Sequence, residues 1–472
     1  TSGGRHMAEL RRELGTWTAV AIVVGTVIGS GIFLVPKTMI LNVGSPQMVF
    51  AVWIFGGFLS LAGALTYAEL AAALPEAGGE YVYLREAYGP LWGFLYGWTQ
   101  MWVAKSGAVA TLATAFFYYL AHFNPDLEQT FQTIPLPIGS GGAPLAISYG
   151  QILAMAVILG LAVVNYFGVK AGGIVQVVVT AVKVALILLI ILVGLGLGDG
   201  SAENYTAGLD VPLGVGGFFA ALVAALWAYD GWNNVSMVAS EIRRPQRSLP
   251  LALIAGTITV MVIYLLTNVA YFYVLSGSEV AQSDRVAAEM MRRIWGDGGA
   301  SAVSVAAMIS IFAALNGSLL TGSRVPYAMA RDGLFFRSFR TVHETHRTPS
   351  VSIFALAAWS ALLVLSGRYE QLFTYVIFAS WILYGMTAAS VLVLRRKQPH
   401  LERPYRTLGY PVIPVLFVLV AAALIVATLR NSPRESVMGL SLIVLGCPFY
   451  FHWNRARQSS PNAPGRGGGG SS

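Results

Sequence analysis

Gly25-Thr26-Val27-Ile28-Gly29-Ser30-Gly31 sits in the middle of the first apolar run of the chain, where small and polar residues weaken a helix. Tyr229-Asp230-Gly231-Trp232-Asn233-Asn234 interrupts the sixth apolar run in the same way. Inside hydrocarbon no water satisfies a freed amide or carbonyl, so irregular backbone is tolerated only where protein encloses it or it lines a cavity. Matched interruptions in two halves of a helical bundle mark a solute site near mid-membrane. The pair therefore implies a carrier of a small polar solute.

The composition agrees. Of 472 residues, 56% are hydrophobic and 11% charged, against about 25% charged in a soluble domain. The chain reads as one polytopic membrane domain over 7–454. Residues 1–6 read as a tag remnant, and 455–472 as a tail ending in a linker scar from Ala463. The net charge of +8 reports orientation in such a chain rather than nucleic-acid binding. The single cysteine, Cys447, excludes an internal disulfide and reads as packing. No cofactor or metal is called for. His343-x-x-His346 is a histidine pair without a third ligand in view.

Apolar runs of ~17–25 residues fall near 16–41, 48–73, 91–122, 148–166, 173–197 and 213–240. Six more fall near 249–275, 299–325, 350–366, 370–394, 410–429 and 437–454. The fold expected is all-α with twelve transmembrane helices. Arg11, Arg12, Arg85, Lys170, Arg243, Arg244, Arg247, the basic residues of 324–347, Arg395, Arg396, Lys397, Arg403, Arg406, Arg455 and Arg457 share one side. Loops 123–147 and 198–212, on the other, hold no Lys or Arg. That bias puts both termini in the cytoplasm. Ser278 to Trp295 alternates apolar and charged residues at helical spacing, as a surface helix over the outer mouth would. The two breaks lie five runs apart, an odd offset, so the halves cross the membrane oppositely. Such an offset makes a 5+5 inverted repeat (about 16–197 and 213–394) with two helices appended at about 410–454.

After the first break a half-helix is expected to begin near Ile32, its N–H groups and positive dipole end suited to a carboxylate. Close packing of Gly25 and Gly29 in a GxxxG pattern is the competing reading. The half-helix before the second break ends near Trp227-Ala228, and its carbonyls suit an ammonium. Together the two ends describe an α-amino acid site, with Trp227, Tyr229 and Trp232 as apolar walls or lid. Lys183 lies about eleven residues into its run, roughly 16 Å deep. An intramembrane charge is a functional candidate by default. It can replace a coupling sodium ion, act in proton coupling, or bond carbonyls structurally. Lys105 stands open between a structural and a substrate-sensing role. Asp230 either caps the second half-helix or attracts a basic side chain. Asn316, Ser318 and Thr321 are candidates to bond Lys183 or the first break.

Several linked motifs complete the picture: Gly25 to Phe33, Pro75-Glu76-Ala77-Gly78-Gly79-Glu80-Tyr81, and Phe167-Gly168-Val169-Lys170 with Gln176, Thr180 and Lys183. Ala228-Tyr229-Asp230-Gly231-Trp232-Asn233, Glu241-x-x-x-Pro245-x-Arg247-x-Leu249-Pro250, Asn316-Gly317-Ser318 and Leu401-Glu402-Arg403-Pro404 follow. The chain resembles the L-type amino acid transporter (LAT) family of the amino acid–polyamine–organocation superfamily over nearly all of 10–430. The resemblance implies a leucine-transporter fold and sodium-independent exchange of amino acids across the inner membrane. It implies that Gly29, Ser30 and Gly31 form the carboxylate end, the N–H groups of Ser30 and Gly31 binding it. The carbonyls of Val27, Trp227, Ala228 and Asp230 then take the amine. It further implies that Trp227 is an aromatic gate, that Asn233 senses the side chain, and that Trp381 is a matching aromatic. Lys183 corresponds to the family's fifth-span lysine. Two departures matter. Residues 123–147 lack the cysteine that links animal members to a heavy chain, so no disulfide-linked partner is expected and a prokaryotic member is implied. The Tyr-Asp-Gly-Trp-Asn form leaves neutral substrates expected and basic ones open. A proton-coupled symporter, an amino acid sensor and a polytopic enzyme are the alternatives. Amino acid and lipid are the partners expected, and nucleic acid is not one.

Overall fold

The computed structural model describes residues 10–134, 145–209, 214–366 and 369–458. The expected tag remnant and the linker scar lie outside the described residues. The fold is helical, with ten helices among those residues long and apolar enough to cross a membrane.

The first run is broken where its composition says it should be. Helix α1 (Thr16–Val27) stops as Ile28 turns extended at φ −72°, ψ 90°, and α2 (Gly31–Val43) restarts three residues on. Pro46 at the first turn and the Ser45 side chain, accepting from Met48 N at 3.3 Å, start α3 (Pro46–Ala73). Helix α4 (Glu80–Tyr88) is a short buried piece, and α5 (Pro90–Thr99) follows it. The expected helix over 91–122 is not one regular α-helix. A π-helical turn, Gln100–Ala104, joins α5 to α6 (Lys105–Leu120) and resets the direction in which Lys105 points.

The segment between α6 and α7 carries strands β1 (Thr130–Ile134) and β2 (Leu145–Ser148), paired antiparallel, which the sequence did not suggest. A Ser148–Gln151 capping box opens α7 (Tyr149–Tyr166), and a turn at Gly168 leads into α8 (Val169–Leu197). The sixth run breaks after α9 (Val215–Tyr229). Its continuation, Asn234–Glu241, is 3₁₀ rather than α-helical. Helix α10 (Pro245–Val274) packs extensively on α1 and α3.

The expected surface helix over Ser278 to Trp295 is two pieces. They are α11 (Gly277–Gln282) and the head of α12 (Val286–Gly322), which kinks at Trp295 and Gly296 before descending. Lys37 on α2 meets Asp284 at 2.5 Å and ties this cover to the second half-helix. Helices α13 (Arg324–Arg331), α14 (Ser350–Leu363), α15 (Tyr369–Lys397), α16 (Val412–Asn431), α17 (Pro433–Val444) and α18 (Gly446–Gln458) complete the order. With 14 residues, α14 is about 21 Å long and shorter than the hydrocarbon core.

Beneath the two broken helices, Glu241 and Arg324 form a fork-to-fork ion pair at 2.7 and 3.2 Å, both side chains 0% exposed. Leu14 and Ile242 add a parallel bridge, with Leu14 N donating to Glu241 O and Arg243 N to Leu14 O. The start of α1 is thus strapped to the end of the broken sixth run. Removing one partner of a buried pair strands the other charge. Glu241→Ala is expected to cost about 3–5 kcal/mol, read as unfolding in detergent. A loss under about 1 kcal/mol, the range of an exposed pair, contradicts the assignment.

Candidate functional site

The two breaks face each other. A Cβ on Gly31 would stand 2.5 Å from Ala228 Cα and Cβ, so only glycine lets α2 begin this close to the end of α9. The Thr26 hydroxyl lies 3.0 Å from Gly231 O and 2.7 Å from Ile22 O, able to donate to either, and so links one irregular segment to the other. Gly231 has φ 105°, a left-handed conformation that favours glycine and turns the chain into the 3₁₀ segment.

Between the breaks is a small cavity of about 20 Å³, room for little more than a water molecule. Val27, Gly29, Ser30, Gly31, Trp227 and Asp230 line it among the residues singled out from sequence, and so does Ser318. Gly25 does not: its helix face packs on the Gln176 and Thr180 side chains of α8. Gly29 packs on Leu112 and Ala314, so the tight-packing reading holds at both glycines.

The carbonyls expected to meet an amine are not all vacant. The Tyr264 hydroxyl on α10 lies 2.9 Å from Val27 O and 2.8 Å from Ala228 O, bridging the two breaks. A hydroxyl has one proton and can donate to one carbonyl at a time. Asp230 N donates to Trp227 O at 3.1 Å. Tyr264 is a site residue that sequence reasoning missed, because a tyrosine in an apolar helix gives no local signal.

Lys183 on α8 is fully buried and donates to Gly25 O at 2.6 Å, to Ile28 O, and to Ser310 O at 3.3 Å. Gly25 and Ile28 lie at the C-terminal end of α1, whose last carbonyls lack helical donors and carry the negative end of the dipole. An ammonium there satisfies both. Asn316 does not reach Lys183. Its amide donates to Gln176 Oε1 at 3.0 Å and its oxygen accepts from Asn165 at 2.9 Å, holding α7, α8 and α12 together. Thr321 bonds back to Gly317 O at 2.8 Å, as a helix-embedded threonine often does. The α12 residue that meets Lys183 is Ser310, whose hydroxyl also donates to Ile28 O at 3.1 Å.

Asp230 does not cap the following helix, which starts after Asn233 with no side-chain cap. Its Oδ1 accepts from Tyr384 at 3.0 Å while it lines the cavity. The asparagine on the cavity is Asn234, not Asn233. Asn233 instead donates to the buried carboxylate of Glu80. Asn234 Oδ1 accepts from Lys105 at 2.6 Å, which places Lys105 one hydrogen bond from the cavity.

Trp227 lines the cavity, but Tyr229 packs against Trp53 and Tyr264, and Trp232 against Tyr67 and Tyr384. Trp381 stacks on Phe417 at 5.3 Å, buried away from the cavity lining. His343 and His346 stack on each other, with no group of three His, Cys, Asp or Glu among the described residues. Cys447 is free.

A family model described as amino acid permease matches residues 14–448. The chain is 33% identical over 450 residues to the human b(0,+)-type amino acid transporter 1, covering 94% of this chain and 88% of that protein. It is 31% identical over 453 residues to the serine/threonine exchanger SteT of Bacillus subtilis (strain 168), covering 95% and 98%. The human cystine/glutamate transporter is 30% identical over 457 residues, covering 95% and 86%.

Proposed function

This chain belongs to the amino acid permease family, and we propose that it is a sodium-independent exchanger of L-amino acids working by alternating access. Membership makes it a multi-pass transporter of amino acids rather than an enzyme. The observation that carries the finer reading is the close packing of Gly31 on Ala228 beside a cavity that Ser30, Gly31 and Trp227 line. There the start of one half-helix suits a carboxylate and the end of the other an ammonium. The N–H groups of Ser30 and Gly31, with Gly29 giving close approach, take the carboxylate. The carbonyls of Val27, Trp227, Ala228 and Asp230 form the opposite wall, and Tyr264 withdraws from two of them as the amine arrives. Trp227 covers the substrate.

Lys183 holds the end of α1 by its own ammonium, the part a bound sodium ion would otherwise play. Asn233 and Trp381 act behind the cavity through Glu80 and Tyr384, and Asn316 steadies α12 against α8. The architecture proposed is twelve membrane helices in a 5+5 inverted repeat, in the inner membrane, with both termini cytoplasmic. Support comes from ten spans long enough to cross, the divided α5–α6 run, the short α14, and the distribution of basic residues. No disulfide-linked partner is required.

Counterflow in sodium-free proteoliposomes tests this. Radiolabelled amino acid is expected to accumulate only when the lumen holds unlabelled amino acid. Uptake into empty vesicles driven by a proton gradient contradicts exchange. Asp230 bears on the range. Asp230→Asn keeps an acceptor for Tyr384 but removes the charge, and is expected to weaken arginine and lysine uptake about tenfold (~1.4 kcal/mol) relative to neutral substrates. Equal loss for all substrates contradicts a charge-sensing Asp230.

A further inference from the structure

Away from the central site, a cavity of about 380 Å³ opens between the segment ahead of α1, the α7–α8 turn and the loop before α14. Arg11, Lys170 and Arg347 line it against one acid, Glu13. None of the three cations is in a salt bridge among the described residues. Three like charges gathered without partners repel one another, so the pocket favours an anion.

The pocket is built, not loose. Thr348 Oγ1 donates to Tyr166 O at 2.9 Å, and Tyr166 and His343 share a hydrogen bond at 3.0 Å. His343 N donates to Thr348 O and Arg347 N to His343 O, each at 2.9 Å. These bonds fasten the loop to the end of α7 and hold Arg347 at φ 54°, a left-handed conformation uncommon outside glycine. Such strain persists only where surrounding contacts enforce it. The first turn of the 29-residue α8 opens into the same space at Val169 and Lys170, adding its positive dipole end.

The surroundings say what kind of anion. Trp17, at the start of α1, is 80% and Phe167, at the end of α7, 58% exposed, aromatic rings at the ends of spanning helices as an interfacial belt would place them. From Phe167 an outward apolar strip continues along α8 through Ile174 and Val178, each 55% exposed. A cationic pocket at headgroup level, opening onto an apolar strip that runs into the bilayer, fits a phosphate with acyl chains attached.

We propose that this pocket binds the phosphate headgroup of an anionic phospholipid from the adjoining leaflet. A soluble phosphate ester shares the headgroup chemistry but leaves the strip unused. The bound lipid bridges the N-terminal segment to α8. That segment also holds Leu14, which packs on Gly173 and is strapped to Ile242. The lipid therefore fastens the start of the first half-helix to α8, as that strap fastens it to the broken sixth run.

The test titrates fluorescent phosphatidylglycerol and phosphatidylcholine into the purified full chain and into Arg11→Gln/Lys170→Gln/Arg347→Gln. The wild type is expected to prefer phosphatidylglycerol by about tenfold (~1.4 kcal/mol) and the variant to lose that preference. Arg11→Lys/Arg347→Lys keeps the charge and is expected to bind as wild type does. The proposal is overturned by no preference in the wild type, by preference surviving in the Gln variant, or by its loss in the Lys variant. Displacement of the lipid by inorganic phosphate or glycerol 3-phosphate assigns the pocket to a soluble anion and overturns the lipid assignment.

Discussion

Gly31→Val is expected to bring amino acid exchange to background while the protein still inserts and remains folded. The Cβ alone would stand 2.5 Å from Ala228 Cα and Cβ, well inside contact distance. Ala228 cannot yield cheaply, because its carbonyl is held by Tyr264 and the neighbouring Tyr229 hydroxyl donates to Trp53 O. The extra volume must instead push α2 away from α9, parting the ends proposed to grip carboxylate and amine. Overpacking of this size costs about 1–3 kcal/mol in stability, which a membrane protein of this size survives. The functional loss is expected to be larger, because both ends of a zwitterion must be met at once. Counterflow in proteoliposomes, with thermal unfolding measured alongside, separates the two effects. Exchange within about twofold of wild type (~0.4 kcal/mol) would show that the separation of the half-helices does not matter.

Lys183→Met is expected to have the second largest effect. Methionine fills much the same volume but donates nothing. Gly25 O then loses its donor at the broken end of α1, and Ile28 O keeps only the Ser310 hydroxyl. A buried carbonyl left without a donor costs about 1–3 kcal/mol. The cheapest relief is for the end of α1 to shift or take up a water or cation. Exchange is expected to fall about tenfold (~1.4 kcal/mol) or more, with an altered apparent affinity on at least one side of the membrane. Partial rescue by sodium would be a direct sign that the ammonium stands in for a metal ion. Transport unchanged in rate, affinity and pH dependence would leave Lys183 a structural residue only.

What could be read from the chain, and what could not, divides along a physical line. The break at Ile28 to Ser30 was legible because glycine and serine in an apolar run weaken a helix locally, whatever surrounds it. The burial of Lys183 followed from its distance along a helix. Relations between segments were not legible. Asn233 and Asn234 are adjacent, and which one faces the cavity depends on the left-handed turn at Gly231 and the 3₁₀ winding after it. The resemblance points to Asn233, whereas Asn234 is the asparagine that lines the cavity. The π-helical turn before Lys105 likewise redirects a residue whose type was noticed but whose partner, Asn234, was not. Tyr264, Glu80 and Ser310 carry no local mark at all. Their roles come from broken helices that leave carbonyls and an amide needing partners nearby. Helical spacing offers Asn316 to Lys183 or to the first break, yet it lies on the part of α12 that meets Gln176 and Asn165.

The most direct measurement is an experimental structure with an exchanged amino acid bound. The account predicts the substrate carboxylate at the N–H groups of Ser30 and Gly31 and its ammonium at the carbonyls ending α9, with Trp227 over the side chain. A substrate lodged outside the cavity lined by Ser30, Gly31 and Trp227, or either broken segment continuing as α-helix around it, would contradict the account.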